Sequence, residues 1–223
     1  MNLLNAILSF GKLILCKNHL LKGTTSFLSL YNIRSGNSVR ISNSHFVLSR
    51  LSIKGGHNTV SMESIKSLKA CINIEGDNNE LIVEKGTDLG RMYIAIVGTG
   101  CKIHIGQRCN FHNGFMIAGG NDNMVFIGEE CLFAHDVNII ASDTHQILEK
   151  GQEINPSRDI ILKNHVWVCA NSSILKGVII GENSVIGLGS VVSKDLAPNT
   201  LNVGNPCKMV KEGISWSIEC NSK

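Results

Sequence analysis

Proline is scarce in this chain, three residues in 223, against 22 glycines. Turns must therefore come from residues that tolerate a left-handed backbone, which suits tight, repeated corners. No run of lysine or arginine and no interleaved aromatic pattern accompanies the net charge of +3, so no nucleic-acid partner is expected, and anionic small ligands stay open. None of the eight cysteines forms a CxxC pair, and no secretory cleavage pattern precedes them. They read as reduced thiols acting as small hydrophobes in a cytoplasmic chain. No apolar run reaches the ~18 residues of a membrane span, because Asn2, Asn5, Ser9, Gly11 and Lys12 interrupt Met1 to Cys16. The polar positions recur every three or four residues there, the pattern of an amphipathic helix with a wide apolar face.

What the sequence does have is 43% apolar residues, ample for a continuous core, laid out in two periods. In the middle of the chain, IKGGHNTV, IEGDNNEL, IVGTGCKI and IAGGNDNM begin at Ile53, Ile74, Ile96 and Ile117, each with glycine two residues on, at Gly55, Gly76, Gly98 and Gly119. A second apolar residue follows each start by seven, at Val60, Leu81, Ile103 and Met124. Toward the C-terminus, Leu162, Val168, Ile174, Ile180, Ile186 and Val192 are spaced by six. Six residues make one face of a triangle and three faces a coil of 18. The longer spacing of 21 or 22 is then such a coil with residues inserted at one corner. A period of six fits neither a helix nor a long alternating strand. The expected fold is all-β, a parallel β-helix over residues 37–204, with a helical or irregular cap over 1–36 and a tail over 205–223.

These hexads, together with SDTHQ, NHVWVCANSSILKGVIIGENSVIGLGSVVSKD and GNPCKMVK, resemble the hexapeptide-repeat acyltransferase family, specifically from about Phe133 to Lys211. Within it the resemblance is to O-acetyltransferases of bacterial capsule and lipopolysaccharide sugars. It implies a left-handed β-helix, a homotrimer with active sites between subunits, acetyl-CoA as donor and a glycan acceptor. For residues 1–36 it leaves two roles, docking on the trimer or peripheral contact with the inner membrane.

Acetyl transfer to a hydroxyl needs a base, and histidine is the natural one. His145 stands where the hexads break into a polar stretch before resuming at Leu162, and it matches the family's catalytic histidine. Asp143, two residues earlier, leaves an extended segment on the same side, to orient the imidazole or hold the acceptor. The resemblance places Trp167 beside the acetyl group and acceptor. It places backbone N–H groups near Cys169 and Ala170 at the oxyanion. Gly187 and Gly189 fall along the pantetheine arm, where a missing side chain permits close approach. Ser193, Lys194, Lys208 and Lys211 fall at the CoA nucleotide, with lysine at positions some relatives fill with arginine. His112, His135, Asn113 and Asn138 read as corner residues, with a place lining the same inter-subunit groove as the alternative.

No zinc site is expected, because the HisX4His spacing of a γ-type carbonic anhydrase is missing. N-acetylation of a nucleotide-linked amino sugar and a non-catalytic scaffold are the alternatives that remain.

Overall fold

An apolar residue every six positions can be buried only if the chain turns after each short strand. The computed structural model, which describes residues 19–219, shows three such turns per coil. Ile160–Leu162, Trp167–Val168 and Ser173–Leu175 lie on a first, second and third face; Ile179–Ile180, Val185–Ile186 and Val191–Val192 repeat the cycle one rung on. The first and third faces are sheets of eight strands. The second holds three and then six, linked by bridges from Asp88 to Lys66 and Asn110. This is a left-handed parallel β-helix, with no helix among the described residues.

Each hexad residue from Leu162 to Val192 points inward and is fully buried, which stabilises by roughly 1.5–3 kcal/mol per side chain. Phe111 and Phe133 occupy the same inward column of the second face and stack 4.3 Å apart, nearly parallel.

The extra residues of the longer coils lie at the corner from the third face to the first. There the third-face strands Cys71–Asp77, Arg91–Thr99 and Asn113–Asn121 run on and turn on glycine. A Cβ built on Gly55, Gly76 or Gly98 would sit about 2.0, 1.9 and 1.9 Å from the carbonyl oxygen of Gly76, Gly98 and Gly120 respectively. Beside this glycine column runs a buried column of amides. Asn37 Oδ1 accepts from the Asn58 N–H, Asn58 Oδ1 from Asn79, and Asn79 Oδ1 from Cys101, each at 2.9 Å. The same side chains donate to the glycine carbonyls: Asn58 to Gly76, Asn79 to Gly98, and the Cys101 thiol to Gly120. Cys109 and Cys131 likewise donate to the Gly128 and Lys163 carbonyls at the next corner. These cysteines are thus buried, as expected of small hydrophobes, and also hydrogen-bonded rungs.

Two expectations need correction. In the fourth glycine repeat the register is one residue later: Gly120, not Gly119, pairs with Gly98, and Val125, not Met124, pairs with Ile103. The inward side chains decide this, since Val125 is fully buried and Met124 only half-buried. The winding also starts before residue 37. Strands His19–Lys22, Thr25–Phe27 and Leu30–Ile33 form a coil paired to the next through Val39, Phe46 and Leu51, and Gly23, Leu28 and Gly36 take left-handed corners in it. The amphipathic helix read into residues 1–16 lies outside the described residues. The tail, by contrast, returns as an antiparallel strand, Lys208–Glu212, along Thr200–Val203.

Gly76→Ala should lower the melting temperature by about 6 °C or more, the effect of roughly 2–3 kcal/mol in a chain of this size. Gly56→Ala, whose Cβ would meet its nearest atom at 3.5 Å and whose backbone is not left-handed, should melt near wild type. Thermal circular dichroism of the two variants makes the comparison.

Candidate active site

The third-to-first corner that carries glycine insertions in the early coils opens fully after Ile140. Residues 141–159 leave the solenoid, form a small hairpin of Leu148–Glu149 with Gln152–Glu153, and return at Ile160. Lys150 and Gly151 at its tip both have positive φ, the turn that matches strand twist. Arg158 N–H donating to the Ala141 carbonyl at 3.1 Å closes the neck, and Ser157 Oγ lies 2.8 Å from Ser142 Oγ.

Inside the loop one amide organises the rest. Asn155 Nδ2 donates both its protons, to Asp143 Oδ2 at 2.8 Å and to the His145 carbonyl at 2.9 Å, while Asn155 Oδ1 accepts from the Ile147 N–H at 2.5 Å. Lys176, on the next coil, reaches across to Asp143 Oδ2 at 2.5 Å and to the Asn155 carbonyl at 2.7 Å. The result is a cleft of about 510 Å³ walled by Val97, Gly120, Ser142, His145, Glu153 and Pro156. His145 lines it, on a backbone pinned from behind. The Asp143 carboxylate is engaged by Lys176 and Asn155, so its effect on His145 in this chain passes through the backbone. Lys176 first, and Asn155 with it, hold the Asp143 carboxyl below its ordinary pKa. Neither partner stands out in the sequence, where Lys176 lies within a regular hexad.

The other predicted residues fall on different lines of the prism. Ser193 and Lys194 are exposed on the His145 edge, with Lys194 one coil beyond Lys176 in the same column. Cys169, Ala170, Gly187 and Gly189 occupy the opposite edge of the third face, where the second face turns into it, and Gly189 N–H donates to the Ala170 carbonyl at 3.0 Å. The Cys169 N–H is taken by the Ile186 carbonyl at 2.9 Å, whereas the Ala170 N–H has no acceptor among the described residues. Of the pair, Ala170 holds the amide available to an oxyanion. Burial raises the Cys169 thiol pKa, so that thiol stays neutral. A Cβ on Gly187 would meet Val203 Cγ1 at 2.6 Å, so the valine would have to shift; Gly189 faces open space at φ +68°. His112 and His135 lie on the same edge, exposed and with ring centres 3.5 Å apart, while Asn113 bonds Asp136 and Asn138 is half-buried on the third face. Trp167 projects from the second face in one outward row with Leu132, Val185, Leu201 and Lys211. Lys208 and Lys211 are exposed on the returning tail strand.

The sign of the Asp143 shift fixes a pH window. A carboxyl with a lowered folded pKa favours the closed loop above its ordinary range near 3.9 and loses that effect as pH falls through the lowered value. Amide exchange across residues 143–157, corrected for intrinsic rate, should stay flat from pH 7 to 5 and rise below pH 4. Lys176→Met should show the fast exchange already at pH 7, with quicker tryptic cleavage after Lys150.

Comparison with known proteins agrees with this architecture. The family model described as bacterial transferase hexapeptide (six repeats) matches residues 159–194. Over 186 residues the chain is 33% identical to polysialic acid O-acetyltransferase of Neisseria meningitidis, covering 81% of this chain and 85% of that one. It is 39% identical over 115 residues to galactoside O-acetyltransferase of Escherichia coli (strain K12), covering 51% of this chain and 55% of the relative, so it spans about half of that protein's length. The crystal structure of the polySia-specific acetyltransferase NeuO superimposes with a TM-score of 0.67 at 28% identity, over 92% of this chain and 89% of that one. With a relative matched over most of both sequences and the same coiled architecture, the chain belongs to the hexapeptide-repeat acyltransferase family.

Proposed function

We propose that the protein is a cytoplasmic acetyltransferase moving acetyl from acetyl-CoA to a hydroxyl of a bacterial surface polysaccharide, with sites shared between the subunits of a homotrimer. The observation that carries this reading is the placement of His145 in a cleft at one edge of the third face while Ala170 and Trp167 lie at and beyond the other. His145 takes the hydroxyl proton as the oxygen attacks the thioester carbonyl. The Ala170 N–H supports the tetrahedral oxyanion. On collapse the CoA thiolate leaves and receives the proton back from His145.

Two features support assembly. The outward rows of the third face carry Tyr93, Phe115, Ile140, Leu175 and Val191, interrupted by Asn138 and Ser173, a largely apolar surface open to a cover. On the loop, Ile147, Leu148 and Ile154 stand more than half exposed. Three copies turning their third faces to one axis bring the His145 edge of each against the Ala170 edge of the next. The exposed loop residues are then buried on the neighbour. Kinship with polysialic acid and galactoside O-acetyltransferases favours a sugar hydroxyl as acceptor.

His145→Ala and Trp167→Ala should each reduce transfer about 10²-fold or more. Co-refolded in equal amounts, the two inactive variants should recover about a quarter of wild-type activity, since each mixed trimer then holds one intact site. Failure to recover any activity would put the whole site within one chain. Labelled acetyl-CoA with capsule and lipopolysaccharide fragments, and location of the acetyl by NMR, tests the acceptor. Transfer to amines alone would replace the O-acetyl reading, and activity surviving His145→Ala would remove its base.

A further inference from the structure

The chain has two tryptophans, and the fold brings them together although 49 positions separate Trp167 from Trp216. Trp216 lies on the tail after the strand Lys208–Glu212. The tail crosses back over the corner between the first and second faces, where Ile214 N–H donates to the Asn199 carbonyl at 3.0 Å. Two coils further down, the Trp216 indole N–H donates to the His165 carbonyl at 2.8 Å, and its ring stacks on the His165 imidazole at 4.1 Å and 7°. Its other neighbour is the Trp167 indole, 5.8 Å away and tilted by 46°.

The ground under Trp216 is fixed. His165, Asn183 and Asn199 take left-handed corners one above another, with φ of 56°, 59° and 57°. His165 Nδ1 meets Asn183 Oδ1 at 2.9 Å, and Asn183 Nδ2 donates to Asn199 Oδ1 at 3.0 Å. Asn183 uses its Nδ2 as donor, so its Oδ1 accepts and the His165 proton sits on Nδ1. The tail therefore docks on a locked column. Trp167, by contrast, projects from a strand of two residues and is only half-buried. In register, Leu132 and Val185 flank it along the row, and Trp216 meets it from the side of the corner. The same tail strand carries Lys211 in the Trp167 row three rungs on, roughly 14 Å away at the usual strand spacing.

We propose that Trp216 is a positioning residue. It fixes the Trp167 indole as a wall of the donor site and sets the tail strand so that Lys211 stays in the same row as Trp167. This rests on the donor site argued above. A tilted aromatic neighbour at this distance restricts rotation of an indole that is otherwise half free, and small misplacement of a wall residue is costly in transfer reactions.

Trp216→Ala and Trp216→Phe both leave Trp167 as the sole tryptophan, so its fluorescence compares them directly. The ring in Trp216→Phe should keep Trp167 shielded; Trp216→Ala should shift its emission to the red and increase quenching by iodide. With acetyl-CoA varied at saturating acceptor, Trp216→Ala should lower kcat/KM about tenfold, Trp216→Phe should restore most of it, and both should keep wild-type circular dichroism and size. Should Trp216→Ala misfold, Trp216→Leu, apolar but without a planar ring, takes its place with the same expectations. Identical emission and quenching in the two variants would overturn the proposal. So would a spectral difference with unchanged kcat/KM, which would confine Trp216 to packing. If the wild-type protein transfers no acetyl, the donor-site reading fails on its own, while the fluorescence still decides whether Trp216 holds Trp167.

Discussion

Every coil of this protein must turn three corners, and at each corner a backbone group has to find its hydrogen-bond partner on the coil above or below. That requirement governs the rest of the structure. Most corner residues are left-handed and stack on left-handed residues, as His165, Asn183 and Asn199 do, because displacement of one would break the bond between them. Glycine meets the demand where carbonyls approach within 2 Å of a would-be Cβ, as at Gly76 and Gly98. Asn58, Asn79 and Cys101 meet it with side chains that replace backbone donors and acceptors. Stability is then a sum over neighbouring coils, and any residue on the outside belongs to a column whose position is set by residues on the inside.

Such columns tolerate additions at a corner far better than on a face. An extra residue on a face would move every inward side chain outward; extra residues at an edge leave both flanking strands in register. The third-to-first corner exploits this twice, with short glycine turns in the early coils and with the 141–159 loop later, after which Ile160–Leu162 still pairs with Val125–Ile127. The loop then needs its own fixing, because no coil lies directly above it. Asn155 and Lys176 provide it, one by saturating its amide within the loop and the other by anchoring Asp143 to the next coil. His145 gains a stationary backbone in a polar, solvent-facing cleft, the setting a proton-transferring imidazole requires.

The architecture was legible in the sequence because its period was written in side chains that cannot be exposed, such as Ile174, Ile180 and Ile186. Where the marks were weaker, the register slipped: in IAGGNDNM two adjacent glycines and two adjacent apolar candidates, Met124 and Val125, let a one-residue error pass. The first coil was not legible because residues 19–36 carry few aliphatic pairs at the hexad spacing, and only stacking on the next coil shows Leu28 and Gly36 to be corners. At the site, the position of His145 on the projecting loop was legible because it sits at the break in the repeat. Lys176, Asn155 and Trp216 were not, for their roles come from neighbours 33, 12 and 51 positions away in sequence.

The prism also imposes a separation that chemistry must overcome. From Ala170 to Lys176 the chain crosses the third face in six residues, roughly 15–20 Å of extended backbone. Proton transfer and oxyanion support both operate at hydrogen-bond distance, about 3 Å. A base on one edge therefore cannot serve an amide on the other edge of the same chain, and the rigid columns that hold both forbid either from moving across. Rotation of a second copy about a threefold axis removes the gap without altering any coil. The contact proposed above would also cover the outward rows of the third face, answering both the exposure of Tyr93 and the isolation of His145. In the proposed trimer the assembly is part of the catalytic device, and the interface and the site should rise and fall together.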